Sequence, residues 1–137
     1  MYLNSINNEF SSEKTVYEKS ALELAFVGDA VWELLIREVI ANRDVRPNEF
    51  HREAVAKVNA KAQNEYLALI TGSLTEREMS IVKRGRNSNR RTPPRGANPE
   101  EYRNSTAFEA LFGYLWLIGK MDRILELFNI IIEHIEF

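Results

Sequence analysis

The chain has 137 residues, room for one domain and little beyond it, and its 45% hydrophobic and 28% charged residues are an ordinary globular composition. It contains no cysteine, which excludes disulfides, thiolate zinc sites and a Cys nucleophile, and its two histidines, His51 and His134, stand far apart in no ligand pattern. Any metal ion would have to be held by carboxylates, which suit hard ions such as Mg²⁺ or Mn²⁺.

The net charge of −2 hides an asymmetry. Six basic residues and no acidic one lie between Lys83 and Arg95, which leaves 12 basic against 20 acidic residues elsewhere, a net of −8 for the rest of the chain. Such a local basic segment on an acidic body points to a phosphate-bearing partner, although basic runs also occur as plain solvated surface. No apolar run is long enough to cross a bilayer, and Met1 to Ser12 is polar without a signal-peptide core. The expected location is the cytoplasm, with no membrane partner.

Helical spacing runs through nearly the whole chain and strand-like alternation is almost absent. The first segment, about Ser20 to Ile40, is apolar around most of its circumference, which predicts a central, buried helix. Asn42 to Asn48 is a connector. A second helical stretch covers about Glu49 to Ile70, with Asn48 as N-cap and Gly72 as stop. Thr75-Glu76-Arg77-Glu78 has capping-box form and opens a helix that runs into Lys83-Arg84-Gly85-Arg86-Asn87. Ser88 to Asn98, with Pro93-Pro94 and Gly96, reads as a loop. Asn98-Pro99 starts the next helix, which either continues to about Ile118 or restarts at Thr106, and Gly119 ends it. Asp122 to Glu136 carries Ile124, Leu127, Phe128, Ile131, Ile132 and Ile135 on one face. The fold class expected is all-α, one domain of about five to seven helices.

Two carboxylates stand out. Asp29 lies mid-helix within Phe26-Val27-Gly28-Asp29-Ala30-Val31-Trp32. A buried lone carboxylate is destabilising by several kcal/mol unless paired or metal-bound, and Gly28 beside it weakens the helix by about 1 kcal/mol relative to Ala. Broken local rules concentrate at functional sites. The plain alternatives are a partner Arg from another helix, or exposure of this part of the helix. Glu109 lies in the apolar segment Thr106-Ala107-Phe108-Glu109-Ala110-Leu111-Phe112-Gly113-Tyr114. Thr106-x-x-Glu109 is also capping-box form, so Glu109 has a structural reading if a helix restarts at Thr106. Glu33, one turn beyond Asp29, is read as the i,i+4 partner of Arg37. Two such carboxylates, a basic loop and no usable His or Cys suggest carboxylate-held Mg²⁺ acting on phosphodiesters.

At these residues the sequence resembles a known family. Leu24-Ala25-Phe26-Val27-Gly28-Asp29-Ala30-Val31 is similar to the signature helix of ribonuclease III domains, and Thr106 to Tyr114 to their second carboxylate motif. The spacing of the two, Lys83-Arg84-Gly85-Arg86-Asn87, and Tyr102-Arg103-Asn104-Ser105-Thr106-Ala107-Phe108-Glu109 resemble the Mini-III subfamily. The resemblance runs from about Ser20 onward. It implies residues 20–137 as a ribonuclease III-like catalytic domain without a double-stranded-RNA-binding domain, after an N-terminal segment of residues 1–19. It further implies a ribonuclease III endonuclease fold, a symmetric homodimer, and Mg²⁺-dependent hydrolysis of double-stranded RNA (with Mn²⁺ as the other candidate ion). The implied role is maturation of a large-subunit (23S) ribosomal RNA precursor, with a ribosomal protein as candidate accessory partner. Asp29 and Glu109 match the essential aspartate and glutamate, both catalytic and metal-holding. Larger relatives carry two further carboxylates; the matching positions here, Ala25 and Thr106, carry none, as in Mini-III proteins.

Without a separate RNA-binding domain, the grip on RNA falls to Lys83, Arg84, Arg86, Asn87, Arg90, Arg91, Arg95 and Arg103. Tyr102 is a candidate for stacking or packing, and Lys57, Asn59 and Lys61 are weaker candidates. Trp32 and Trp116 are assigned to the core or to a dimer contact. Two rival readings remain at this point: a non-catalytic RNA-binding protein with the same fold, and a helical protein–protein module.

Overall fold

The computed structural model describes residues 12–88 and 93–136. Among them are seven α-helices and no strand. They are α1 (Glu13–Tyr17), α2 (Ala21–Ala41), α3 (Phe50–Val58), α4 (Ala60–Ile70), α5 (Glu76–Arg86), α6 (Pro99–Leu117) and α7 (Met121–Ile132). The all-α expectation and the helix count hold.

Most helix ends follow from local chemistry. Ser20 and Glu23 close a capping box at the start of α2, as Thr75 and Glu78 do at the start of α5. The Asn98 side chain accepts from the Glu100 and Glu101 N–H groups ahead of Pro99. Gly119, at φ 77°, ends α6: its N–H donates to the Trp116 carbonyl at 3.0 Å while that of Lys120 donates to Leu115 at 2.9 Å. That double closure needs a residue at positive φ, hence glycine.

Two expectations change. The stretch from Glu49 to Ile70 is two helices, because Asn59 leaves helical geometry and caps α4 by accepting from the Ala62 N–H at 2.8 Å. Asn48 caps nothing; it sits inside a 3₁₀ turn, Pro47–Glu49, and α3 begins without a side-chain cap. Nor is α2 buried all round. Its inner face carries Leu24, Ala25, Gly28, Val31, Trp32, Leu35, Ile36 and Ile40, but Phe26 is 84% exposed and Leu34 58%.

The core is built where α2 and α6 cross, with α4, α5 and α7 packed around α6. Trp32 is wholly buried, with the rings of Tyr66, Phe108, Phe112 and Phe128 at 5.5, 4.8, 5.3 and 5.5 Å. Its indole N–H donates to the Lys57 carbonyl at 2.9 Å, which satisfies the polar atom of the indole and fixes α3 on α2. Among the described residues, no helix is long and apolar enough to cross a membrane.

Candidate active site and nucleic-acid interface

Two glycines bring the two carboxylate motifs together. A Cβ built on Gly28 of α2 would fall inside the Glu109 carbonyl of α6 and lie 2.8 Å from the Gly113 nitrogen. One built on Gly113 would fall inside the Leu24 carbonyl and lie 2.9 Å from the Gly28 nitrogen. Backbone therefore rides on backbone, an approach no side chain permits. Asp29 directly follows Gly28, so it stands at the same crossing as Glu109, exposed where Glu109 is half-buried.

The helix weakness at Gly28 thus has a packing cause, and the exposure of Asp29 answers the question left by the sequence: Asp29 is not a buried charge in this chain. The capping-box reading of Glu109 fails. α6 is continuous through Thr106, whose hydroxyl donates back to the Tyr102 carbonyl at 3.1 Å. Glu33 receives Arg37 at 2.9 Å, the i,i+4 pair expected. Ala25 and Thr106 are both buried.

Among the described residues no group of three or more His, Asp or Glu is placed to hold a metal ion. The Asp29–Glu109 pair still suits Mg²⁺. That ion keeps much of its water shell and takes one or two protein carboxylates together with substrate phosphates. Asp29, exposed, and Glu109, half-buried, are the carboxylates at this crossing that would hold such an ion.

A second glycine contact brings up the basic motif. A Cβ on Gly85 would lie 2.5 Å from the Ala107 Cα, so the last turn of α5 is pressed onto α6 two residues before Glu109. Lys83, Arg86 and Asn87 are exposed there, and Asn87 closes the helix. Arg84 is turned the other way. Its guanidinium lies 4.6 Å over the Tyr17 ring and donates to the Lys19 carbonyl at 3.3 Å, tying α1 to α5. Arg77 stacks on the same ring at 4.5 Å. Arg95 is exposed in the turn before α6, Arg103 is exposed and Tyr102 half-buried. Arg90 and Arg91 lie outside the described residues.

Of the weaker candidates, Lys57 is buried and donates to Glu53 at 2.9 Å, Asn59 is the α4 cap, and Lys61 is exposed. Trp32 belongs to the core; Trp116 is half-buried at its edge. The sequence reading missed the partner of two cations. Glu100 receives Arg86 at 3.0 Å and Arg103 at 2.8 Å. The i,i+3 spacing of Glu100 and Arg103 signals half of this; the Arg86 half depends on how α5 meets α6.

Two carboxylates at a crossing of helices, flanked by a cationic helix end, suit action on a polyanion. Comparison with known proteins gives the class. Residues 22–120 match the family described as Ribonuclease III domain. The chain belongs to the ribonuclease III domain family, in its Mini-III branch, and is an endoribonuclease.

Its relatives include the Mini-ribonuclease 3 of Thermoanaerobacter sp., 41% identical over 95% of this chain and 92% of that one. That of Symbiobacterium thermophilum is 43% identical over 84% and 89%. A crystal structure of a Fusobacterium nucleatum protein matches with a TM-score of 0.78 at 40% identity, over 85% of this chain and 95% of that chain.

Proposed function

We propose that the protein hydrolyses phosphodiester bonds of double-stranded RNA with Mg²⁺ held by Asp29 and Glu109, Mn²⁺ being the other candidate. The observation that supports this reading is the Gly28–Gly113 crossing, where the backbones of the two carboxylate motifs touch, with the cationic end of α5 pressed on α6 at Ala107. A bound ion would lower the pKa of a water molecule and neutralise charge on the scissile phosphate. Asp29, exposed, is open to both ion and RNA. Glu109 is half-buried, and its backbone is pinned at the contact with Gly28.

Lys83, Arg86, Asn87, Arg95 and Arg103 face the duplex, with Tyr102 beside them; Arg90 and Arg91 lie outside the described residues and stay candidates from the sequence. A-form RNA offers phosphates and 2′-hydroxyls rather than a readable major groove, so such a surface selects shape. We place residues 20–137 as the catalytic domain, after the segment 1–19. The working unit is a homodimer joined through the open face of α2, where Phe26, Ala30 and Leu34 are exposed at one-turn spacing. In line with the family resemblance of the sequence, a large-subunit (23S) ribosomal RNA precursor in the cytoplasm is the substrate we favour, with a ribosomal protein as candidate accessory partner.

The decisive experiment is cleavage of a labelled RNA duplex with Mg²⁺, comparing the wild type with Asp29→Asn and Glu109→Gln. We expect cutting by the wild type alone, with folding and duplex binding retained in both variants. A wild type that binds but never cuts, with either ion, would sink the reading and return the protein to a non-catalytic RNA-binding role.

A further inference from the structure

Glu100 stands in the first turn of α6, two residues past the Asn98 cap. Arg86, in the last turn of α5, donates from Nη2 to its Oε1 at 3.0 Å. Arg103, one turn along α6, donates from Nη2 to its Oε2 at 2.8 Å. Each carboxylate oxygen thus takes one guanidinium, the geometry that a phosphate between two arginines would adopt. The Arg103 hydrogen bond first, and then the charge of Arg86, hold the Glu100 carboxyl below its ordinary value, so it is ionised at neutral pH. All three side chains are open to water.

We propose that Glu100 is an internal counter-ion that occupies Arg86 and Arg103 until an RNA phosphate replaces it, and thereby sets how tightly the enzyme holds its substrate. This rests on the basic surface being the RNA surface. The charge balance supports displacement. With Glu100 in place the trio carries one positive charge; without it, two. Exposed ion pairs are weak and screened by salt, so a duplex phosphate and the release of its counterions suffice to replace the carboxylate.

The position supports a role beside the scissile bond rather than at it. Arg86 adjoins Gly85, whose backbone is pressed on Ala107, two residues before Glu109. Phosphates at that distance are present in substrate and product alike. Tighter binding of them would be uniform binding, which slows product release without lowering the chemical barrier.

The test is the affinity of a short labelled RNA duplex, measured by fluorescence anisotropy over a salt series with divalent ions chelated. The proteins are the wild type, Glu100→Gln, Glu100→Ala, Glu101→Gln and the double variant Arg86→Ala/Arg103→Ala. Thermal melting confirms that each is folded. Glu101 loses the same charge one residue away, and no ion pair of its carboxylate is seen among the described residues. We expect both Glu100 variants to bind about fivefold tighter near 0.1 M salt, with a salt slope steeper by about 0.9. Glu101→Gln should show a much smaller gain. Affinity in the Glu100 variants equal to Glu101→Gln, or weaker than wild type, overturns the proposal and makes Glu100 a brace. If the double variant keeps wild-type affinity and slope, the two arginines do not meet RNA; the assignment of the RNA surface then fails first, and the inference falls with it.

Discussion

At the scale of single residues, the site depends on atoms that are missing. Gly28 and Gly113 leave the space that lets α2 and α6 touch through their backbones. Gly28→Ala should gain about 1 kcal/mol of helix propensity and lose more, at least about 3 kcal/mol, by forcing the helices apart. The shift would separate Asp29 from Glu109. We expect a lower melting temperature together with loss of RNA cleavage, whereas Gly72→Ala, with nothing near its Cβ, should leave both unchanged. In the sequence Gly28 was visible only as a weakness in a helix. Which atom fills the space it leaves is a property of α6, 81 positions further along the chain, and no local pattern encodes it.

At the scale of elements, capping chemistry was largely legible and helix-to-helix ties were not. The Thr75–Glu78 box could be read from its spacing. The same Glu78 also receives Arg123 of α7 through both oxygens at 2.9 Å, and Arg123 goes on to the Ser73 carbonyl and to Glu126. Burial alone would raise the Glu78 carboxyl, but the Arg123 hydrogen bonds and the Thr75 N–H outweigh it and leave it below its ordinary value.

A carboxyl lowered in the folded state contributes stability that is complete above its unfolded pKa and vanishes as pH falls through the folded one. Glu78→Gln should therefore be less stable than wild type by about 2 kcal/mol at pH 7. The gap should begin to shrink near about pH 4, where the unfolded carboxyl takes up its proton, and close only as pH falls through the lower folded-state pKa. Urea midpoints across this range check it; a gap that persists at acid pH would assign the loss to packing.

Arg84 carries a related lesson. By sequence it is one of a run of cations, yet it stacks on Tyr17, and its contribution is to hold α1. Arg84→Ala should lower the melting temperature more than Lys83→Ala. Lys83→Ala should instead reduce the salt slope of RNA binding by about 0.9.

At the scale of the whole molecule, the open face of α2 is the largest departure from the reading of that helix as buried. An 84%-exposed Phe26 beside an exposed Leu34 is costly to leave in water. If the proposed homodimer is joined through this face, the wild type should sediment as a dimer and Phe26→Glu as a monomer at the same concentration. Leu125→Glu, on the outer side of α7, should change nothing. A Phe26→Glu dimer would place the subunit contact elsewhere.

Periodicity, caps and the two carboxylate motifs were present in the linear order of residues, because each depends on neighbours within about one or two turns. That information sufficed for the helical class, most helix ends and the candidate chemistry. Tertiary structure decided which side of α2 stays open, that Asn59 breaks one helix into two, that Glu109 is no cap, and which cations are already paired. Each of these turns on groups far apart in sequence sharing one place in space, where close packing and charge pairing rather than local propensity set the outcome.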